Sequence, residues 1–320
     1  MAGDSLYQAW FKAHHTAKFY EVAITHYQEK NKKDKIDALV KEALKFYGYK
    51  LGNYEFGKDN RRVNIDEKTK IIYPNLSSVK GFGENVVNTL YELGKNEYNN
   101  FVDLLRDMKS ESINKTVIDK LIKINYFKKF GEVNKLLKIT EYFDLLDGAK
   151  QMSKKKIIDN GLTVEFVSKY GNETEKQVNK IDSSKLLNDL IDNINEPEQT
   201  LKQKLDAQYD VLGILTYINK NIDRHIYYVS NLDIKKSIVN ITLYECYSGN
   251  IRNVKMWKSS FDKKIFNIKD LLYVYKIDKK HKRVPSGEYD VNGKQIWVED
   301  PNELEYWLSS YTIKGEDAND

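Results

Sequence analysis

The stretch from residue 76 to residue 90 contains the residues whose types and spacing are best suited to binding chemistry. Apolar residues at helical spacing predict two short helices: Leu76 and Val79 on the first, then Val86, Val87 and Leu90 on the second. Gly81 and Gly83 lie between these helices, with Phe82 as an apolar plug. Because glycine tolerates positive φ and close backbone approach, the pattern predicts a tight hairpin with the second helix beginning directly after Gly83.

The predicted start of this second helix is suited to binding an anion. The first N–H groups of a helix have no partner within the helix, and they point outward. Lys80 adds a positive charge beside them. We interpret Lys80, Gly81, Phe82 and Gly83 as a helix-hairpin-helix motif that holds a phosphate of a DNA backbone without reading its sequence. The residues leave one alternative open, an ordinary turn whose glycines serve geometry only.

Length and composition limit the class of protein. The chain has 320 residues, enough for two or three domains, and 41% hydrophobic with 31% charged residues is typical of a globular protein. We expect no membrane span and no signal peptide, because the sequence has no long apolar run. Cys246 is the single cysteine, which excludes an intramolecular disulfide framework and a cysteine-rich zinc site. A cytoplasmic location is therefore expected.

Charge and aromatic content bear on nucleic acids in different ways. The net charge is +5, from 52 Lys and Arg against 47 Asp and Glu, which does not by itself indicate a nucleic-acid partner. The 23 tyrosines matter more, because aromatic side chains form stacking surfaces for bases. A bias of the whole composition toward Lys, Asn, Ile and Tyr explains the tyrosine count equally well.

Helices dominate the N-terminal half of the predicted fold. Residues 4–28 predict two helices with a break near His15, and a third covers residues 35–47. We expect no metal site at His14 and His15, because neighbours on a helix point about 100° apart. Residues 50–73 alternate and predict a small β-hairpin or meander that includes 54–56. Helices follow to residue 147, and the pair on either side of Asn125 predicts a degenerate copy of the first hairpin.

The C-terminal part predicts a β-barrel. Five strand candidates follow residue 224, with a longer connection midway, which is typical of an OB-fold, a five-stranded barrel that binds single strands. Five residues are candidates for contact with single-stranded DNA: Tyr227, Tyr244, Lys255, Trp257 and Lys258. The alternative is a barrel whose aromatics form the core and whose lysines are solvated, because a register error of one residue reverses every facing.

Several segments resemble the C-family replicative DNA polymerases, the family of the alpha subunit of bacterial DNA polymerase III. Residues 9–14, Ala-Trp-Phe-Lys-Ala-His, resemble Ala-aromatic-Leu-Lys-Ala-His at the end of the family's fingers domain, although His15-Thr16 stands where Tyr-Pro is usual. Residues 79–83 resemble Ile-Lys-Gly-Val-Gly, and 117–127 resemble the helix that follows, with Asn125 in place of a glycine. Residues 210–213 resemble Glu-x-Leu-Gly, which precedes the family's OB domain.

The resemblance implies an α+β fold in four parts: the end of the fingers (1–50), a small β segment with tandem helix-hairpin-helix motifs (51–148), a helical connector (149–222) and an OB-fold (223–320). It also implies that Lys12 and His14 lie near nucleotide or template. The family's metal-binding carboxylates belong to a palm domain that this sequence lacks. We therefore expect no catalytic residue, metal site or activity in this chain alone.

The implied partners follow from the same resemblance. They are duplex and single-stranded DNA and a palm-bearing chain or segment that holds Mg²⁺, with the sliding clamp as a further candidate, at the nucleoid or in a phage host's cytoplasm. Gln199–Gln203 is too loose a match to a clamp-binding peptide to identify the contact. A stand-alone DNA-binding or scaffold protein without catalysis is the alternative function, and a protein-interaction module without a DNA role is a third.

Overall fold

A computed structural model describes residues 2–30, 32–79 and 81–315, so Lys80 lies outside the described residues. The chain divides into two compact units, residues 1–199 and 200–320. Each unit contains both helices and strands, which confirms the mixed fold class. The second unit begins ahead of the helix at 201–212, whereas the sequence predicted that the barrel domain begins at 223.

The first unit starts with three helices, α1 (Ala2–His14), α2 (Thr16–Glu29) and α3 (Lys33–Phe46). The predicted break near His15 is confirmed. Three short strands follow: β1 (Lys50–Leu51), β2 (Asn64–Asp66) and β3 (Ile71–Tyr73), in the order β1-β3-β2 with β1 parallel to β3. The predicted strand at 54–56 is wrong. These residues form a loop, and their alternating pattern arises because the loop buries the rings of Tyr54 and Phe56.

The hairpin region is helical, with one correction. The first of the two predicted helices is a single 3-10 turn, Leu76–Ser78, rather than an α-helix. Four α-helices follow: α4 (Glu84–Leu93), α5 (Phe101–Ser110), α6 (Lys115–Lys123) and α7 (Val133–Leu146). Their inner faces are fully buried at the expected periodic positions, among them Leu90, Leu104, Leu105, Met108, Ile118, Leu121 and Phe143.

The predicted helical connector is only partly helical. Three strands, β4 (Gln151–Ser153), β5 (Asn172–Glu173) and β6 (Gln177–Asn179), form an antiparallel sheet in the order β4-β6-β5. Three helices accompany it: α8 (Lys154–Asp159), α9 (Val164–Ser168) and α10 (Ser183–Asp192). The sequence missed this sheet because two- and three-residue strands are too short for an alternation to show.

The second unit begins with α11 (Leu201–Leu212), whose capping box joins Thr200 and Gln203. Five strands follow, which confirms the predicted number: β7 (Ile226–Ile234), β8 (Ile238–Glu245), β9 (Ile251–Trp257), β10 (Leu271–Tyr289) and β11 (Gln295–Lys314). A short helix, α12 (Lys258–Phe261), lies in the connection between β9 and β10.

The strand pairing joins the two ends of this sheet. The order is β10-β11-β9-β8-β7, and β10 also pairs with β7, so each strand has two neighbours. The contact of β11 with β9 is parallel, through Trp307 and Lys255, and the other pairings are antiparallel. Residues at alternate positions of the strands point inward and form one hydrophobic core. This core includes Val229, Val239, Ile241, Leu243, Val254, Met256 and Leu308.

Strands β10 and β11 are longer than the strands at 271–277 and 295–298 that the sequence predicts. They remain paired with each other as far as Tyr289 and Gln295, well past the last pairing of β11 with β9 at Trp307. The distal part is a two-stranded ribbon that contains the basic run 279–283 and exposes Trp297. Most of this lysine-rich segment therefore lies along a ribbon rather than around the barrel.

Candidate nucleic-acid interface

The hairpin between the 3-10 turn and α4 has three described residues, Gly81, Phe82 and Gly83. Gly81 has φ +100°, a backbone angle that L-residues with a side chain rarely adopt. Phe82 is 2% exposed, and its backbone N–H donates to the carbonyl of Val79 at 3.1 Å. Gly83 is extended and forms the N-cap of α4, where its carbonyl accepts from the N–H of Val87 at 3.1 Å.

The two glycines serve different purposes. A Cβ on Gly81 would lie 2.8 Å from the Lys120 Nζ and would also strain the backbone, so this glycine is required by conformation. A Cβ on Gly83 would meet no atom within 4 Å, so the space beside Gly83 is open. No side chain of the described residues caps α4 at this end. A ligand therefore has direct access to the first turn of the helix.

Lys120 is the basic residue that sequence reasoning missed. It lies on α6, 39 positions after Gly81, yet its amine reaches the hairpin. No local pattern signals this contact, because it depends on how α6 packs. Glu84, exposed in the first turn of α4, has the opposite sign and opposes an incoming phosphate. Among the residues that the structure describes, the positive charge at this helix end comes from the helix dipole and Lys120.

The hairpin geometry recurs between α5 and α6, one helix pair earlier than the predicted copy around Asn125, whose φ is also positive at +62°. Ser112 has φ +62°, Ile113 is buried, and Asn114 is the N-cap of α6, which matches Gly81, Phe82 and Gly83 in order. The Asn114 side chain accepts from the N–H of Val117 at 3.0 Å. The second hairpin is therefore capped by its own side chain, whereas the first is open.

Comparison with known proteins supports the interpretation of this region as a helix-hairpin-helix. Residues 55–137, which include both hairpins, match the family described as the helix-hairpin-helix motif. The chain also resembles DNA polymerase III subunit alpha of Aquifex aeolicus (strain VF5), with 30% identity over 125 residues. That alignment covers 38% of this chain and 10% of the polymerase subunit, so the match spans about a tenth of the curated relative. These comparisons support a region similar to part of that subunit.

The predicted fingers residues lie on the last turn of α1. The Lys12 amine forms an ion pair with Glu42 and lies 5.3 Å from the ring centroid of Phe19 and 5.4 Å from that of Tyr20. These contacts attach α1 to α2 and α3, which is a structural role. His14 is exposed, with its ring 4.8 Å from that of Trp10. A nucleotide-proximal role for Lys12 and His14 stays a prediction.

Two of the five predicted barrel residues are corrected. Tyr227 faces the barrel core, and Tyr244 packs in the cluster against α11, with its hydroxyl donating to the carbonyl of Tyr217 at 2.8 Å. Both side chains are buried, so neither presents a ring face to a base. Inward and outward positions alternate along a strand. Tyr227 falls on the face that lines the core, and Tyr244 falls on a face that packs against α11.

The other three residues lie at or near the surface. Lys255 forms an ion pair with Glu305, and Lys258 forms one with Asp262. Trp257 is 51% exposed at the end of β9, and its ring centroid lies 4.8 Å from that of Trp307. Trp257 is therefore the predicted stacking residue that the structure leaves accessible.

Other chemistry in the described part of the chain is limited. No group of three or more His, Cys, Asp or Glu side chains among the described residues is placed to hold a metal ion. Within the same residues, no helix combines the length and apolarity needed to cross a membrane. Burial raises the pKa of the Cys246 thiol to about 12, so this cysteine is not a reactive nucleophile.

Proposed function

We propose that this chain binds duplex DNA through the open hairpin at Gly81–Gly83, as part of a C-family replicative DNA polymerase. The observation that carries the proposal is the uncapped first turn of α4, open at Gly83 and flanked by the amine of Lys120. Backbone N–H groups and one amine provide donors and positive charge for a phosphate, but nothing that distinguishes one base from another. Binding is therefore independent of sequence.

A matched pair of substitutions at Gly83 tests the hairpin. Both aspartate and asparagine are good N-cap residues, so Gly83→Asp and Gly83→Asn should both fold as stably as the wild type. We expect both to weaken duplex binding because a side chain occupies the helix end. The aspartate should weaken it on the order of tenfold more than the asparagine, because like charges across a contact are unfavourable.

The measurement is fluorescence anisotropy of a labelled primer–template duplex with the full chain over a salt series. Thermal unfolding of each variant is the control for folding. Wild-type affinity should fall as a power of the salt concentration, as expected for phosphate contacts. Equal affinity of the wild type and both folded variants would remove the hairpin from the DNA site.

We further propose that the barrel is an OB-fold that binds the single-stranded template. Its support is the strand order β10-β11-β9-β8-β7 with the single parallel contact between β9 and β11, together with the exposed ring of Trp257. Nucleotidyl transfer with Mg²⁺ belongs in this proposal to a palm-bearing chain or segment. A sliding clamp is a further proposed partner.

A stand-alone DNA-binding protein is the second candidate function. It shares the hairpin and differs in needing no palm-bearing partner. Co-purification with a palm-bearing polymerase chain distinguishes the two: a stable stoichiometric complex supports the polymerase part, and DNA binding without such a complex supports the stand-alone protein.

A further inference from the structure

A cleft of about 430 Å³ opens beside β9 and β11. Its walls come from the end of β9, from α12 and the turn after it, and from the adjoining stretches of β10 and β11. The volume lies within the range of small-ligand sites. The cleft belongs entirely to the second unit.

Two tryptophans form an aromatic wall of this cleft. Trp257 and Trp307 come from β9 and β11 and have ring centroids 4.8 Å apart at an angle of 38°. Trp307 is 9% exposed and supports Trp257, which keeps half of its surface accessible. An exposed ring held from behind by a second ring is a preorganised surface for stacking a planar group.

Two lysines give the cleft a positive charge. The Lys280 amine lies 5.2 Å from the ring centroid of Trp307, and the Lys264 amine donates to the carbonyl of Tyr311 at 3.0 Å. No carboxylate lines the cleft among the described residues. Nearby acidic side chains are paired with other cations: Glu305 with Lys255, Asp278 with Lys276 and Asp262 with Lys258. The net charge of the lining therefore favours an anion.

We propose that this cleft holds one unpaired nucleotide, with its base on Trp257 and its phosphate near Lys280 and Lys264. An aromatic wall and two amines without a carboxylate match a ligand that is planar at one end and anionic at the other. The hydroxyl of Ser260 lies in the same lining and can donate to the base or sugar. The proposal deepens the suggested single-strand binding by the barrel and rests on it for the source of the nucleotide.

The chain supplies a matched pair of tryptophans for the test. Trp257 is 51% exposed in the cleft, and Trp297 is 47% exposed on the ribbon, outside the cleft. We expect Trp257→Ala to weaken binding of a labelled ten-residue oligothymidylate about 5- to 150-fold, the usual range for one stacked base. Trp297→Ala should bind as the wild type does.

Neighbouring lysines provide a second pair. Lys279 and Lys280 are adjacent on β10, so their side chains lie on opposite faces of the ribbon. Lys280→Ala should lower the slope of log affinity against log salt by about 0.7, because one phosphate contact is lost from a single strand. Lys279→Ala should leave that slope unchanged. Equal slopes for both variants would contradict the placement of the phosphate.

The arms of the experiment distinguish the sources of the nucleotide and the two sites. A parallel titration with dTTP separates a free nucleotide from a strand, since only a strand gains affinity with oligonucleotide length. Weaker binding of either the oligothymidylate or dTTP by Trp257→Ala supports the proposed nucleotide site. If folded Trp257→Ala binds both ligands as the wild type does, the proposal is wrong. Duplex binding should be unchanged in Trp257→Ala and weakened in Gly83→Asp, so failure of the cleft and failure of the hairpin are separate results.

Discussion

In the proposed phosphate site, Gly83 and Lys120 make different contributions. Gly83 contributes open space at a helix end, and Lys120 contributes a positive charge from a distant part of the sequence. Neither residue alone is sufficient, since a helix end without a cation holds a backbone phosphate weakly in salt. The pair gives the hairpin both shape and charge.

Replacing Lys120 tests that contribution. Lys120→Ala should reduce the slope of log affinity against log salt for duplex DNA by about 0.9, the value for one phosphate contact. Lys123, which is exposed one turn further along α6, is the matched control, and Lys123→Ala should change the slope less. Anisotropy titrations at several salt concentrations measure both. A larger change for Lys123 would show that α6 meets DNA with a different face.

Helix α6 is the element that brings Lys120 to the hairpin. Its start is fixed by Asn114, whose side chain caps the helix, and its inner face buries Val117, Ile118, Leu121 and Ile122. The neighbouring α5 begins in the same way at Asn100. These caps determine where each helix begins and therefore which of its residues face the hairpin.

Removal of the α6 cap should destabilise the first unit. Asn114→Ala should lower the free energy of unfolding by about 1 kcal/mol, because the N–H of Val117 loses its side-chain acceptor. Asn114→Asp retains a capping oxygen and should be close to the wild type. Denaturant unfolding followed by circular dichroism measures both variants. An equal loss in both would show that the side chain acts through something other than the cap.

Buried ionisable groups are distributed over the whole molecule. Burial raises the pKa of Tyr54 and Tyr126 in the first unit and of Tyr244 in the second, and that of Cys246 reaches about 12. Desolvation is the largest cause in each case. These groups are neutral when folded at pH values where the unfolded chain has begun to lose protons.

The molecule should therefore lose stability in alkali. A folded pKa above the unfolded value gives stability that is complete below about pH 9 and declines as pH rises toward the folded value, by up to about 1.4 kcal/mol per pH unit for each group. Denaturant midpoints should fall steadily between pH 9 and 11. Tyrosinate absorbance should appear together with unfolding. Midpoints that stay constant over this range would contradict the burial of these groups.

The sequence by itself determined much of the local structure. Glycines and caps predicted the hairpin, the helical period predicted α4 to α7, and alternation predicted five strands in the second unit. Those signals are local, because a helix face or a strand face repeats within a few residues. The same local signal failed for β4, β5 and β6, which are too short to show a period.

Tertiary structure decided which predicted residues are accessible. Trp257 and Tyr244 look equivalent in sequence, yet the packing of α11 covers Tyr244 and leaves Trp257 open. Lys120 reaches Gly81 only because α6 packs beside the hairpin, and Lys280 reaches Trp307 only because β10 pairs with β11. Facing and proximity depend on long-range packing, which is not encoded in any short stretch of sequence.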